Sequence, residues 1–139
     1  MMLKAIFVAI YLIVDIAYVL LSQTYYESYA KAIQGSGFSK KKDVLVFAFL
    51  SYIFLGLAWW FLVADRITAT TPIWKAVLYA IILALAIYGV FNATLYVMFD
   101  KWDYRVVVRD TLWGLSWLSI LTLGYTVALS RSIKGKGGL

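Results

Sequence analysis

The residues of this chain that could do chemistry lie inside long apolar segments. Near the N-terminus, Asp15 interrupts a run of hydrophobic side chains. Polar and aromatic residues recur around it at alternating steps of four and three, namely Tyr11, Asp15, Tyr18, Ser22, Tyr25 and Tyr29. This spacing places them all on one face of a helix. An ionisable residue within a membrane segment costs about 2.5–3.5 kcal/mol to insert, so Asp15 is a candidate functional residue.

Two later apolar segments carry stripes of the same kind. They consist of Tyr88, Asn92 and Tyr96 on the third segment and of Asp110, Trp113 and Trp117 on the fourth. With a helical rise of about 1.5 Å per residue, Asp15, Asn92 and Asp110 lie roughly 7–13 Å from the same membrane surface. We therefore expect these three side chains to converge on one cavity that opens toward the loops after the first and third helices.

The candidate site residues are predicted to bind a ligand or to carry protons. Besides Asp15, Asn92 and Asp110, they include Tyr18 and Trp113. We expect Tyr18 to lie beside Asp15 and Trp113 beside Asp110, because each aromatic ring is one turn from its acid on the same stripe. The alternative is structural: such residues also hold membrane helices together, and Arg109 with Asp110 could form an interfacial pair at the start of the fourth helix.

The composition excludes several classes of site. The chain has no histidine and no cysteine, which removes His- or Cys-based metal sites, Fe–S clusters, thiol redox switches and Ser-His-Asp or Cys-His catalysis. No lysine lies within a span to form a retinal Schiff base. We predict no cofactor and no metal site.

The apolar segments themselves indicate a membrane protein. Of 139 residues, 64% are hydrophobic and 14% are charged, whereas soluble domains are about 25% charged. Four segments are long enough to span a bilayer. We predict an all-α polytopic protein, an antiparallel bundle of four transmembrane helices at about residues 3–33, 43–65, 72–99 and 104–131, forming a single domain over 1–139. Thr71 and Asp103 are the expected N-caps of the last two helices, with Pro72 at the first helical position.

The charges predict lipid contacts rather than nucleic acid. The net charge is +6, but the basic residues lie between apolar runs, where they meet lipid headgroups. Four spans put both termini on the same side of the membrane. The basic residues are nearly balanced between the two sides, so the orientation stays open. Gly89 with Ala93 and Ala80 with Ala84 have the small-xxx-small spacing of a bundle core or a dimer face.

The third and fourth segments also carry motifs that extend beyond the stripes. These are Tyr88-Gly89-Val90-Phe91-Asn92-Ala93-Thr94, Trp102 and Asp110-Thr111-Leu112-Trp113-Gly114. The pattern resembles a family of small four-helix membrane proteins known only as a domain of unknown function, and Asp15 with Tyr18 is similar to the Asp-x-x-Trp of its first helix. Asn92 stands where the family has aspartate, and Leu95 where it has asparagine. The resemblance implies the four-helix fold and adds Thr94 to the candidate site, but it implies no activity.

Three functions stay open from the sequence. The first is a small transporter, channel or ligand-binding bundle that contacts the lipid bilayer and a small ligand or lipid. Four short helices enclose little volume, so we expect a homo-oligomer in that case. The second is a membrane scaffold or assembly partner without transport or catalysis. The third, an intramembrane enzyme using Asp15 and Asp110 as acid and base, is less favoured because other catalytic residue types are missing.

Overall fold

A computed structural model of the chain describes residues 1–38 and 42–134. The helices are α1 (Met2–Leu21), α2 (Gln23–Gln34), α3 (Val44–Leu62), α4 (Ile73–Ala84), α5 (Val90–Met98) and α6 (Tyr104–Lys134). A 3₁₀ turn, Ala64–Arg66, follows α3, and a π-helical turn, Leu85–Gly89, joins α4 to α5. The described part of the chain contains no strand. Helices are the expected form, because they satisfy their own backbone hydrogen bonds in lipid.

Four helical segments among the described residues are long and apolar enough to cross a membrane. They are Met2–Leu21, Val44–Arg66, Ile73–Met98 and Tyr104–Ile133. Large hydrophobic side chains cover their outer faces, for example Ile13, Phe47 and Val97. Apolar surface of this extent is stable in lipid and not in water. The prediction of an all-α membrane protein with four spanning helices is therefore confirmed.

The first predicted helix, 3–33, is divided in the structure. α1 ends at Leu21, where the apolar run ends, and the more polar α2 begins at Gln23. Ser22 lies between them and is 3% exposed. Residues 39–41 and 135–139 lie outside the described residues, and one domain over the whole of 1–139 remains a prediction.

One of the two predicted N-caps is present in the structure and the other is not. Asp103 caps α6 as predicted, since its carboxylate accepts a hydrogen bond from the Arg105 N–H at 2.8 Å. The prediction for Thr71 was wrong. Its hydroxyl accepts the Thr68 N–H at 2.8 Å, so it closes the preceding turn, and α4 begins at Ile73 with Pro72 as its N-cap residue.

The contacts of α1 with α3 and α6 follow the order expected of antiparallel neighbouring helices. At one end of the bundle, Lys4 at the start of α1 pairs with Asp65, just after α3. One turn further along α1, the Phe7 ring lies 6.4 Å from the Trp59 ring. The Trp59 indole in turn donates to the Thr122 hydroxyl of α6 at 3.0 Å. The Phe7 ring also lies 5.5 Å from the Tyr125 ring, so the beginning of α1 contacts the end of α3 and the second half of α6.

Small residues set the spacing of α4 and α6. Ala76, Ala80 and Ala84 are all 0% exposed and recur every fourth residue along the face of α4 that enters the core. Side chains of this size allow two helix backbones to approach closely. The predicted Ala80 and Ala84 pair therefore serves the core of this chain, whereas Ala93 is exposed.

Candidate functional site

Asp15 is the centre of a buried polar cluster. Its side chain is 4% exposed, and its Oδ1 atom accepts two hydrogen bonds, from the Tyr88 hydroxyl and from the Trp113 indole N–H, each at 3.0 Å. The Tyr11 hydroxyl lies 3.2 Å from that of Tyr88. Since the Tyr88 proton is used toward Asp15, Tyr11 donates to Tyr88. One carboxylate thus links α1, α6 and the π-helical turn.

The π-helical turn and Gly114 together position Tyr88. A π turn inserts an extra residue into a helix and commonly occurs at functional sites. The Tyr88 ring packs directly on the α carbon of Gly114, where a Cβ would lie 2.5 Å from ring atom Cγ and 2.7 Å from Cε2. Only glycine leaves room for the ring at this point. The packing of the Tyr88 ring therefore explains why residue 114 of this motif is a glycine.

Asp110 forms a second cluster nearer the end of the bundle. Its Oδ1 accepts the Tyr26 hydroxyl at 2.7 Å, and its Oδ2 accepts the Asn92 amide at 2.6 Å. The Tyr18 hydroxyl lies 3.0 Å from that of Tyr26. These distances are short, as hydrogen bonds to carboxylates are. Asp110 thus holds α2, α5 and α6 together.

Tyr88 and Asn92 connect the two clusters. The Asn92 amide, which contacts Asp110, also donates to the backbone carbonyl of Tyr88 at 2.8 Å, and the Tyr88 hydroxyl reaches Asp15. The structure thus brings Asp15, Asn92 and Asp110 into one hydrogen-bonded network. Whether this network binds a ligand or carries protons stays a prediction.

The two aromatic partners are exchanged relative to the prediction. The Trp113 indole donates its hydrogen bond to Asp15 and not to Asp110, and the Tyr18 hydroxyl is linked through Tyr26 to Asp110 and not to Asp15. The reason is the antiparallel order of α1 and α6: residues further along α6 meet residues earlier on α1. The Tyr18 and Trp113 rings stack at 4.1 Å between the two acids.

Thr94 lies outside the network. It is exposed, and its hydroxyl donates to the Val90 carbonyl of its own helix at 2.8 Å. At 3.6 residues per turn, two positions separate Thr94 from Asn92 by about 200° around the helix. Because Asn92 faces the core, Thr94 faces outward. Tyr96 is also exposed, so the predicted stripe of the third segment ends at Asn92.

Arg109 does not form the expected pair with Asp110. Its guanidinium donates to the Ser22 hydroxyl at 3.1 Å and lies 4.2 Å above the Tyr25 ring. Successive side chains of a helix diverge by about 100°, which directs Arg109 toward α2. Within residues 1–38 and 42–134 the ion pairs are Lys4 with Asp65 and Lys31 with Glu27.

Tyr26 belongs to the site although it lies off the stripe that was predicted for the first segment. It lies four residues after the buried Ser22, so an i, i+4 step from Ser22 was the signal for it. Burial raises the pKa of its hydroxyl above the ordinary value, and the hydrogen bonds to Tyr18 and Asp110 raise it further. The proton therefore stays on Tyr26 and remains available for donation to Asp110.

A groove of about 770 Å³ opens beside Asp110. Its walls come from α1, α2, α3, the π turn, α5 and α6, and they are almost entirely apolar. Its polar residues are Tyr26, Asn92 and Asp110, with Ser51 and Tyr88, and its remaining lining residues are Val19, Ala30, Phe38, Phe54, Leu55, Ala58, Ile87, Phe91 and Trp102. The groove therefore combines an apolar surface with one polar, carboxylate-bearing region. In the described part of the chain, no group of three or more carboxylates is arranged to hold a metal ion.

Comparisons with known proteins assign the chain to a family. No curated protein and no solved structure matches it. A family model described as "Predicted membrane protein (DUF2177)" matches residues 1–126. The match contains α1 to α5, most of α6 and both carboxylate clusters, and it confirms the resemblance that the motifs carry. This integral, multi-pass membrane protein belongs to the predicted membrane protein family DUF2177.

Proposed function

We propose that this protein binds an amphipathic molecule, such as a lipid, in the groove beside Asp110. The observation that carries the proposal is the groove itself, an apolar volume of about 770 Å³ with a carboxylate, an amide and a phenol on its wall. Ligand sites in proteins typically measure about 300–1,000 Å³ and combine apolar walls with a few fixed polar groups. The ligand's apolar part contacts the aromatic and aliphatic walls, and its polar part contacts Asp110.

The network around Asp15 supports this site from behind. Tyr88 lines the groove and is fixed by Asp15 and Tyr11, while the Asn92 amide is fixed between the Tyr88 carbonyl and Asp110. Groups that are held by a second layer of hydrogen bonds do not need to reorganise when a ligand arrives. Asp15 is 4% exposed, so its role in this proposal is to position Tyr88 rather than to contact the ligand.

The proposal is tested by filling the groove. Ala30 and Ala32 both lie on α2, but only Ala30 lines the groove, whereas Ala32 is exposed outside it. Binding of tritiated dodecanol is measured in maltoside micelles and corrected for micelles without protein. We expect Ala30→Trp to lower specific binding at least several-fold and Ala32→Trp to leave it unchanged. Equal binding by the two variants and the unmodified protein would contradict the proposal.

The scaffold alternative makes the opposite prediction. A protein that only assembles with others has no need of a ligand in the groove, so dodecanol would show no saturable, Ala30-dependent binding. The spacing of small residues that suggested a scaffold is already used within the chain by Ala80 and Ala84, which are buried against the core. This internal use favours the ligand-binding function.

We also propose the arrangement of the chain in the membrane. Four spans place both termini on the same side, and the helices together form a single transmembrane domain. The proposed groove lies within one chain, so ligand binding does not require the homo-oligomer that transport would need. Cross-linking in native membranes and protease protection of tagged termini test these two points.

A further inference from the structure

Asp110 forms no ion pair among the described residues. Asp110 accepts one hydrogen bond at each carboxylate oxygen, from Tyr26 and from Asn92, and both donors are neutral groups. Among the described residues, no lysine or arginine lies within 4.0 Å of its oxygens. The neighbouring Arg109 is engaged with Ser22. Asp110 is therefore a partly buried acid that accepts a hydrogen bond at each oxygen and that makes no direct ion pair with the described residues.

We propose that the molecule bound in the groove carries a cationic amine as its head group, and that this ammonium pairs with Asp110. The inference rests on the proposed function and names the chemical class of its ligand. A partly buried carboxylate attracts a cation more strongly than a surface one does, because the surrounding apolar walls screen the charges less than water. An anionic head, such as a free carboxylate, meets like charge at the same place and is rejected.

The groove's aromatic residues favour the same ligand class. Tyr26, Tyr88, Phe91 and Trp102 all line it together with Asp110. Aromatic rings attract cations through their negative faces and offer nothing comparable to an anion. Their apolar surface also contacts a hydrocarbon chain. A long-chain amine thus matches both the charge and the surface of the groove, whereas a neutral amphiphile matches only the surface.

The test compares three probes with one chain and different heads: dodecylamine, dodecanol and dodecanoate. Their affinities for the protein in maltoside micelles are measured by competition with tritiated dodecanol. We expect the unmodified protein to prefer dodecylamine to dodecanol about tenfold and to bind dodecanoate most weakly. Asp110→Asn keeps the size of the side chain and should abolish the preference. Asp100→Asn, an equal change of charge at an exposed residue outside the groove, should keep it.

A second pair of variants tests the charge without changing Asp110. Ala30→Lys places an ammonium in the groove one turn from Tyr26, and Ala30→Met places a neutral side chain of similar length there. We expect Ala30→Lys to lower the ratio of dodecylamine to dodecanol affinity and Ala30→Met to leave that ratio unchanged. This comparison remains decisive even if Asp110→Asn fails to fold.

The outcomes separate this inference from the proposed function. If all three probes bind equally and their binding depends on Ala30, the groove binds amphiphiles but the cationic head is wrong. The inference is also overturned if dodecanoate binds best or if Asp110→Asn binds normally and retains the preference for the amine. If no probe shows Ala30-dependent binding, the proposed function itself fails.

Discussion

Substitution of Gly114 by alanine should destabilise the bundle through a single contact. The added Cβ would lie 2.5 Å from Cγ and 2.7 Å from Cε2 of the Tyr88 ring, and still closer to Cδ2. These separations are shorter than van der Waals contact, so either α6 or the ring must move. The ring is held by its hydroxyl, which donates to Asp15 and accepts a hydrogen bond from Tyr11. Movement in either direction therefore costs free energy.

The magnitude follows from two opposing effects. Overpacking in a core costs typically about 1–3 kcal/mol, and hydrogen bonds between membrane helices contribute about 0.6 kcal/mol each on average. Alanine in a helix interior is favoured over glycine by up to about 1 kcal/mol, which opposes the loss. We expect Gly114→Ala to lower the free energy of unfolding by about 1–3 kcal/mol.

Gly124 provides the matched control on the same helix. A Cβ at this position would lie 3.4 Å from the Phe7 ring, an ordinary contact, so Gly124→Ala should be neutral or slightly stabilising. Both variants are compared by reversible unfolding in mixed micelles, alone and in a Tyr88→Ala background. The cost of Gly114→Ala should vanish once the ring is gone. If it persists there, or if both glycines respond alike, the reasoning from the Tyr88 contact is refuted.

Three further expectations concern the polar network and use the same unfolding measurement. Trp113→Phe should cost about 0.6 kcal/mol for the lost hydrogen bond to Asp15. The buried Trp117 N–H has no hydrogen-bond partner among the described residues, so Trp117→Phe loses no such bond, and equal costs of the two variants would contradict the assigned contacts. Asp15→Asn keeps an acceptor oxygen and should be tolerated. Asp15→Leu leaves the Trp113 N–H unpaired and should lower the free energy of unfolding by about 1–3 kcal/mol. Similar losses in the two variants would mean that the acceptor oxygen does not determine the stability. Because burial raises the pKa of Tyr26, the folded state holds this proton more tightly than the unfolded state does, so stability should fall as pH rises above about 10. Tyr26→Phe should reduce that slope, and an unchanged slope in this variant would contradict the prediction.

The sequence predicted the features that depend on one segment at a time. Apolar length determines where a helix can span a bilayer, which is why four spanning helices were predicted and found. The cap at Asp103 is equally local, because an aspartate that starts a helix accepts the N–H two residues later. The failure at Thr71 is also local: its hydroxyl had a second available donor, the Thr68 N–H. The N-cap propensity of threonine does not determine which of two available N–H groups its hydroxyl accepts.

The features that depend on two segments were predicted only in part. Depth along each helix, which follows from the helical rise, led to the expectation that Asp15, Asn92 and Asp110 meet in one cavity. The structure joins them in one hydrogen-bonded network, but Asp15 does not line the groove. It did not predict which aromatic residue meets which acid. Each acid has an aromatic ring on its own stripe and others on the facing helices, and only the rotation and vertical offset of α1 against α6 select Trp113 for Asp15.

The stripes predicted one cavity shared by Asp15, Asn92 and Asp110, but the groove is lined by Asn92 and Asp110 and not by Asp15, and its shape could not be predicted from the stripes. The stripes identify residues that point into the core, and they led to the buried network around Asp15. A groove instead needs a gap between elements, and its volume depends on the break at Ser22, which separates α2 from α1, and on small side chains at Ala30 and Ala58. Neither feature leaves a periodic signal. Asp110 belongs to both the network and the groove lining, whereas Asp15, which is 4% exposed, belongs to the network alone, and this difference is why the proposed ligand contact is assigned to Asp110.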